Sequence, residues 1–378
     1  MITKLDIKKF KDLDLLSIKD LNQVTLISGK NNIGKTSLLE AIFLLFNYKY
    51  SSLLVPILGN RFASNLPFNI VYNIPFDFAI NGIFSNYDHT SDILISSDND
   101  EVVLKVINTD QSFIQPNSNI RPNSIGGNSV IVKTDSLNIQ YKQNGKEYFT
   151  AAASKNITQN AMYAPQFKNV DVLPKILTRT ILINEFGELF KIDDSLFSPR
   201  EQWVILEYNN IRTNYRDLLN KYLIPGLRLL NPKINNVELG VDPLNSQLQR
   251  IELILDGESR PLPLSSLGHG SKRLFNIIIG IITARDGILL IDEIENGIHY
   301  SIIKKMWELI FKLAKENNCQ VIATTHSLEF AGYVVNLTPE EQDLFSFVNI
   351  ERANGQLLCA TYDSKQFKYS INNNVEIR

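Results

Sequence analysis

The stretch Gly29–Ser37 reads GKNNIGKTS and fits the pattern G-x-x-x-x-G-K-[ST]. Such a loop turns its backbone N–H groups onto phosphate oxygens, which demands glycine where a Cβ would block the turn. Gly29 and Gly34 meet that demand, and Lys30, Asn31, Asn32 and Ile33 complete the loop between them. Lys35 brings a positive charge to the β/γ-phosphates, Thr36 offers a hydroxyl to Mg²⁺, and Ser37 closes the motif. The pattern therefore reads as a nucleotide triphosphate site, with ATP and Mg²⁺ as the implied ligand and metal.

Two further stretches supply the rest of a hydrolytic set. Ile288–Glu293 reads ILLIDE, an apolar run ending in two carboxylates. A strand beside a phosphate loop delivers an acid to magnesium, so Asp292 is the expected metal ligand and Glu293 the expected general base or water-positioner. Gln320–Ser327 reads QVIATTHS and ends in His326, which is placed to steady the γ-phosphate or the water. The acidic run continues through EIENGIH, where His299 reads as a cap on a helix over Tyr300–Lys315. Leu264–Phe275, LSSLGHGSKRLF, is a glycine-bearing turn opening an apolar helix. Gly268, Gly270 and Ser271 make it a second anion site. One chain with two anion sites is most economically a two-fold dimer, with each nucleotide held at the seam between copies.

The elements needed to position these residues are legible. Residues 1–28 give two short strands and a third, VTLIS, which runs into the phosphate loop. From Ile33 the apolar residues Leu38, Leu39, Ile42, Phe43, Leu45 and Phe46 recur at helical spacing. Residues 51–165 are rich in Asn, Ser and Pro and read as hairpins and loops. Residues 170–232 read as helical, broken at Pro225 and Pro232. VELGVD and RIELILDG are strands, residues 264–330 alternate helix and strand, and a few more strands follow. The expected division is a head domain made of 1–50 and 233–378, with 51–232 as an inserted β-hairpin and helical lobe.

Composition bounds the function. With 44% apolar and 21% charged residues the chain is an ordinary globular one, and a net charge of −2 is not the footprint of a nucleic-acid binder. Cys319 and Cys359 form neither a metal-ligand spacing nor a disulfide framework. The charged start MITKLDIKKF is not a signal peptide, and the apolar run Leu274–Ala284 is too short to span a bilayer. A cytoplasmic protein with no membrane partner is expected.

Taken together, the strand pair IKKFKDLDLL, LISGKNNIGKTSLLEAI, SSLGHGSKR, LLIDEIENGIH and VIATTHS resemble the ABC-type ATPases of the RecF, structural-maintenance-of-chromosomes and OLD group. Within that group the chain is similar to short stand-alone AAA family ATPases, among them subunits of bacterial antiphage systems. The resemblance covers the first 50 and roughly the last 120 residues. It implies an α/β P-loop NTPase fold: an ABC-type head with a mixed sheet and an inserted β/α lobe. It implies that Lys35 and Thr36 bind phosphate and Mg²⁺, Asp292 is the metal acid, Glu293 the catalytic acid and His326 the switch. Gly268–Arg273 would face a partner copy as the signature. There L-G-H-G stands for the family's L-S-G-G, so Ser266 or Ser271 must replace the usual serine. The Q-loop glutamine has no clear counterpart, Gln166 in APQF being a candidate without supporting context.

The absence of heptads excludes long coiled-coil arms. About fifty residues follow His326, too few for a fused nuclease domain. The implied function is a nucleotide-driven switch, a homodimer or larger assembly, controlling a separate nuclease or toxin effector in antiphage defence. The alternative is a DNA-repair or DNA-end-processing ATPase, with DNA as a possible partner. A transporter subunit fits the long polar insertion poorly, and a guanine-specific protein lacks N-K-x-D, since NKYL at Asn220–Leu223 has no acid.

Overall fold

The computed structural model describes residues 1–47, 82–85, 88, 90–114, 129–154, 180–184, 188–190, 200–241, 249–373 and 375. The first two strands, β1 (Leu5–Phe10) and β2 (Leu13–Ile18), form a hairpin, and β3 (Val24–Gly29) leads into helix α1 (Lys35–Phe46). Four strands follow: β4 (Ile93–Ser97), β5 (Asp100–Ile114), β6 (Ser129–Gln143) and β7 (Lys146–Ser154). They join the hairpin in a six-stranded antiparallel sheet of order β2-β1-β4-β5-β6-β7.

A second sheet has seven strands. Its members are β3, β8 (Thr180–Ile183), β9 (Leu189–Phe190), β13 (Ile288–Ile291), β14 (Gln320–Thr324), β15 (Phe345–Ala353) and β16 (Gln356–Asp363). Their order is β16-β15-β3-β14-β13-β8-β9. The five inner strands are parallel and the two edge strands antiparallel, so the sheet is mixed. The short strands β10 (Ile234–Val241), β11 (Gln249–Leu255) and β12 (Leu262–Pro263) make a third sheet.

Helix α1 lies between the two large sheets. Eleven of its residues are buried, all but Thr36, which explains why LLEAIFLLF is apolar all round rather than striped. Its cluster holds Leu5, Ile7, Ile95 and Leu104 from the antiparallel sheet and Ile27, Leu290, Ile322 and Val348 from one face of the mixed sheet. The opposite face, with Leu26, Leu289, Val321 and Phe347, packs under the remaining helices. These are α2 (Arg200–Asn214), α3 (Ile224–Arg228), α4 (His269–Thr283), α5 (Ile303–Glu316), α6 (Leu328–Gly332) and α7 (Ser364–Asn372). None of the described helices is long and apolar enough to cross a membrane.

The strand pairing divides the chain differently from the expected lobe at 51–232. Strands β4 to β7 extend the N-terminal hairpin, β4 to β6 joining the cluster around α1, while β8 pairs in parallel with β13 inside the main sheet. A sheet recruits strands by edge pairing and burial rather than by sequence neighbourhood, and both β4 and β8 pair with strands from outside that segment. Thr180–Ile183 is accordingly a strand within the stretch read as helical. Pro225 does not break its helix either. It follows a π-helical turn at Leu219–Leu223, whose wider winding accommodates the ring and the missing N–H.

Candidate nucleotide site

Register brings the three chemical stretches to one edge. Thr324 of β14 pairs with Ile27 of β3, and Ile291 of β13 with Ala323 of β14. The loops after all three strands therefore leave the sheet on the same side, at its carboxyl edge, where open α/β sheets hold their ligands. The acid strand β13 does not pair with β3: the histidine strand β14 lies between them, parallel to both. Thr324 spans that step, its Oγ1 donating to Asp292 Oδ1 at 2.6 Å and accepting from the Glu293 N–H at 2.8 Å.

The phosphate loop has the shape its glycines predict. A Cβ on Gly29 would lie 2.5 Å from the Ile350 carbonyl oxygen, and Gly34, the N-cap of α1, has φ 101°. Asn31 and Asn32 are exposed, Ile33 and Ser37 buried. Lys35 is only 5% exposed, and its Nζ donates to the Gly29 and Lys30 carbonyls at 2.7 and 3.0 Å. Burial pulls the Lys35 ammonium below the usual lysine range, while the carboxylates of Asp292, Glu293 and Glu295 oppose that shift.

Lys35 Nζ is also 3.3 Å from His326 Nδ1, and His326 Nε2 is 3.0 Å from Glu293 Oε1. An ammonium can only donate, so Nδ1 accepts and the ring proton belongs on Nε2, facing the carboxylate. Thr36 Oγ1 donates to Asp292 Oδ2 at 2.8 Å. The structure thus brings Lys35, Thr36, Asp292, Glu293 and His326 into one cluster. For Mg²⁺ the donor set is a hydroxyl and a carboxylate, and no group of three or more His, Cys, Asp or Glu suited to a metal exists among the described residues. A hydroxyl beside a carboxylate suits magnesium, which takes one or two protein carboxylates and completes its shell with phosphates and water.

Several residues around this cluster had no assigned role in the sequence. Glu293 has φ 50°, a strained conformation for a residue with a Cβ. Its carbonyl accepts from the Asn296 N–H at 2.9 Å and from Arg273 Nη2 at 2.7 Å. Arg273 is 3% exposed and also donates to the Asp292 and Ile294 carbonyls. It points into its own chain, although it ends the segment expected to face a partner copy. Glu295 Oε1 accepts from the His326 N–H at 2.6 Å, and Asn296 Nδ2 donates to Glu293 Oε2 at 2.5 Å. Only their proximity to the acidic pair in sequence could have flagged Glu295 and Asn296. Arg273 stands out as a cation in an otherwise apolar helix.

The turn before α4 meets the turn after β13. Gly268 is exposed with φ 85° and open space where a Cβ would project, whereas a Cβ on Gly270 would collide with the Gly297 carbonyl oxygen. Both serines weighed for this turn are tied to their own backbone. Ser266 Oγ donates to the Pro263 carbonyl at 2.6 Å, and the buried Ser271 Oγ to the Leu267 carbonyl at 3.1 Å. His299 caps the turn Tyr300–Ile302 that precedes α5, its side chain accepting from the Ser301 N–H. His89 and Gln166 lie outside the described residues.

Known proteins share parts of this chain. Residues 182–331 match the family described as AAA domain, putative AbiEii toxin, Type IV TA system. An "ATP/GTP phosphatase" of Helicobacter pylori is 25% identical over 353 residues, covering 87% of this chain and 86% of that protein. An uncharacterized protein of Methanocaldococcus jannaschii is 35% identical over 77 residues, covering 20% of this chain and 66% of that protein. Among solved structures, an SMC head bound to the C-winged helix domain of ScpA has a TM-score of 0.46 at 14% identity, covering 96% of this chain and 97% of that one. The SMC head domain from Thermotoga maritima has a TM-score of 0.41 at 14% identity, covering 96% and 98%.

Proposed function

We propose that the chain is an ABC/AAA-type ATPase of the RecF, SMC and OLD kind, and that it binds Mg·ATP at Gly29–Ser37 and hydrolyses it with Glu293 and His326. One observation carries the proposal: Lys35, His326 and Glu293 form an unbroken chain of contacts beside the Thr36–Asp292 pair. In this reading Lys30 to Ile33 and the α1 N-terminus cradle the phosphates, and Lys35 exchanges its carbonyl partners for them. Thr36 and Asp292 hold magnesium, which supplies charge neutralisation at the phosphates when bound. Glu293 orients the attacking water and takes its proton, while His326 supports charge on the transferring phosphoryl group.

Gly268, Gly270 and Ser271 then face a nucleotide on a second copy, with the exposed Gly268 backbone as the contact and Ser271 needing to turn outward. The homodimer so formed acts as a switch on a separate nuclease or toxin chain, in antiphage defence. The test is ATP turnover by the purified chain with magnesium. Lys35→Ala is expected to lose nucleotide binding and Glu293→Gln to keep binding, lose turnover and accumulate as an ATP-dependent dimer on sizing with light scattering. Unchanged turnover in both variants would refute the assignment.

A further inference from the structure

We propose that Asn296 is a positioning residue for the Glu293 carboxylate. This deepens the reading in which Glu293 acts on water, and it rests on that reading. The Glu293 side chain is pinned at both oxygens: Oε1 faces His326 Nε2 at 3.0 Å, and Oε2 accepts from Asn296 Nδ2 at 2.5 Å. The two pins differ in kind. His326 stands in the loop after β14, outside the Glu293 turn, and also borders Lys35 at 3.3 Å. Any phosphate that draws Lys35 and His326 to itself disturbs the Oε1 contact. The Asn296 contact lies inside a single turn, closed by the Asn296 N–H to the Glu293 carbonyl at 2.9 Å, so it moves with the Glu293 backbone. The same turn holds Glu293 at φ 50°.

A glutamate carboxylate hangs on three rotatable bonds, and unpinned it would spread over many directions. Asn296 fixes Oε2 and leaves Oε1 as the oxygen that is released toward water. A neutral amide suits this task, because it donates without adding a charge beside Asp292 and Lys35. The turn is seated from outside as well. Gly297 packs against Gly270 so closely that a Cβ there would strike the Gly297 carbonyl oxygen. A methyl group at Gly270 therefore displaces the turn that carries Asn296.

The experiment measures kcat, KM and the equilibrium affinity for a fluorescent ATP analogue, using the full chain with magnesium. Asn296→Ala should lower kcat on the order of 10–100-fold, as removal of an orienting partner does, with KM and analogue affinity held. Asn296→Asp keeps the shape but offers an oxygen where a donor is needed, and should lose as much. Adding Asn296→Ala to Glu293→Gln should cause no further decline in single-turnover rate, because the two act through one carboxylate. Wild-type kcat in Asn296→Ala, or a loss that multiplies with that of Glu293→Gln, would overturn the proposal while leaving Glu293 in its role. Wild-type turnover in Glu293→Gln would overturn both.

Discussion

Thr324 does two jobs with one hydroxyl: it donates to the Asp292 carboxylate and accepts from the Glu293 backbone. Its replacement by valine keeps the shape and deletes both bonds. Thr324→Val is expected to lower ATP turnover on the order of 10–100-fold, and Thr324→Ser to restore most of it. Steady-state phosphate release measures the pair. The cysteines give a second test at this scale. Burial pushes the Cys319 and Cys359 thiols up to about 12 each. Thiol reactivity requires the thiolate, and at pH 8 its share falls to roughly one part in ten thousand for such a group. Alkylation by iodoacetamide at pH 8 should therefore leave both cysteines unmodified by mass spectrometry until the chain is unfolded. The clustered residues Lys35, Thr36, Asp292, Glu293 and His326 were legible in the sequence because phosphate chemistry restricts which types stand at which spacing. Thr324, Asn296 and Arg273 were not, because what they do depends on a neighbouring strand or turn that spacing along one segment does not reveal.

At the scale of elements, α1 is held to the β1–β2 hairpin by a buried ion pair. Lys11 Nζ lies 2.6 Å from Glu40 Oε2, with side chains 7% and 9% exposed. Glu40→Gln removes the negative charge opposite a buried ammonium. It should lower unfolding free energy by about 1–3 kcal/mol, the cost of weakening a buried charged hydrogen bond, measured by urea denaturation. Helix α1 itself was readable from its apolar run, and its burial on both sides follows from the same run. Strand β8 was not readable. Its four residues, TILI, carry no periodicity that separates a buried strand from a helical turn. Only its pairing with β13 reveals it. ILLIDE announces a buried parallel strand, and the single helix between it and QVIATTHS announces that β13 and β14 are neighbours, yet nothing in either says that β14 stands between β13 and β3.

For the whole molecule, the central sheet is shared by two apolar clusters, one on each face. Leu104 of β5, from the stretch read as a separate lobe, is fully buried in the cluster around α1. If that sheet were an independent lobe, a cavity there would spare the nucleotide site. Shared packing leads to the opposite expectation. Leu104→Ala should cost about 2–5 kcal/mol, lower the main calorimetric transition rather than split it, and weaken ATP-analogue binding at temperatures near that transition.

The close approach of Gly29 to the Ile350 carbonyl sets an order of events during synthesis. The strand that carries the phosphate loop is flanked by β14 and β15, whose residues emerge from the ribosome some three hundred positions later. A nascent chain therefore has the motif early but no floor beneath it, and contacts so distant along the chain form slowly. Under the proposed function, nucleotide capture is consequently a late event, and it reports that nearly all of the head has been made.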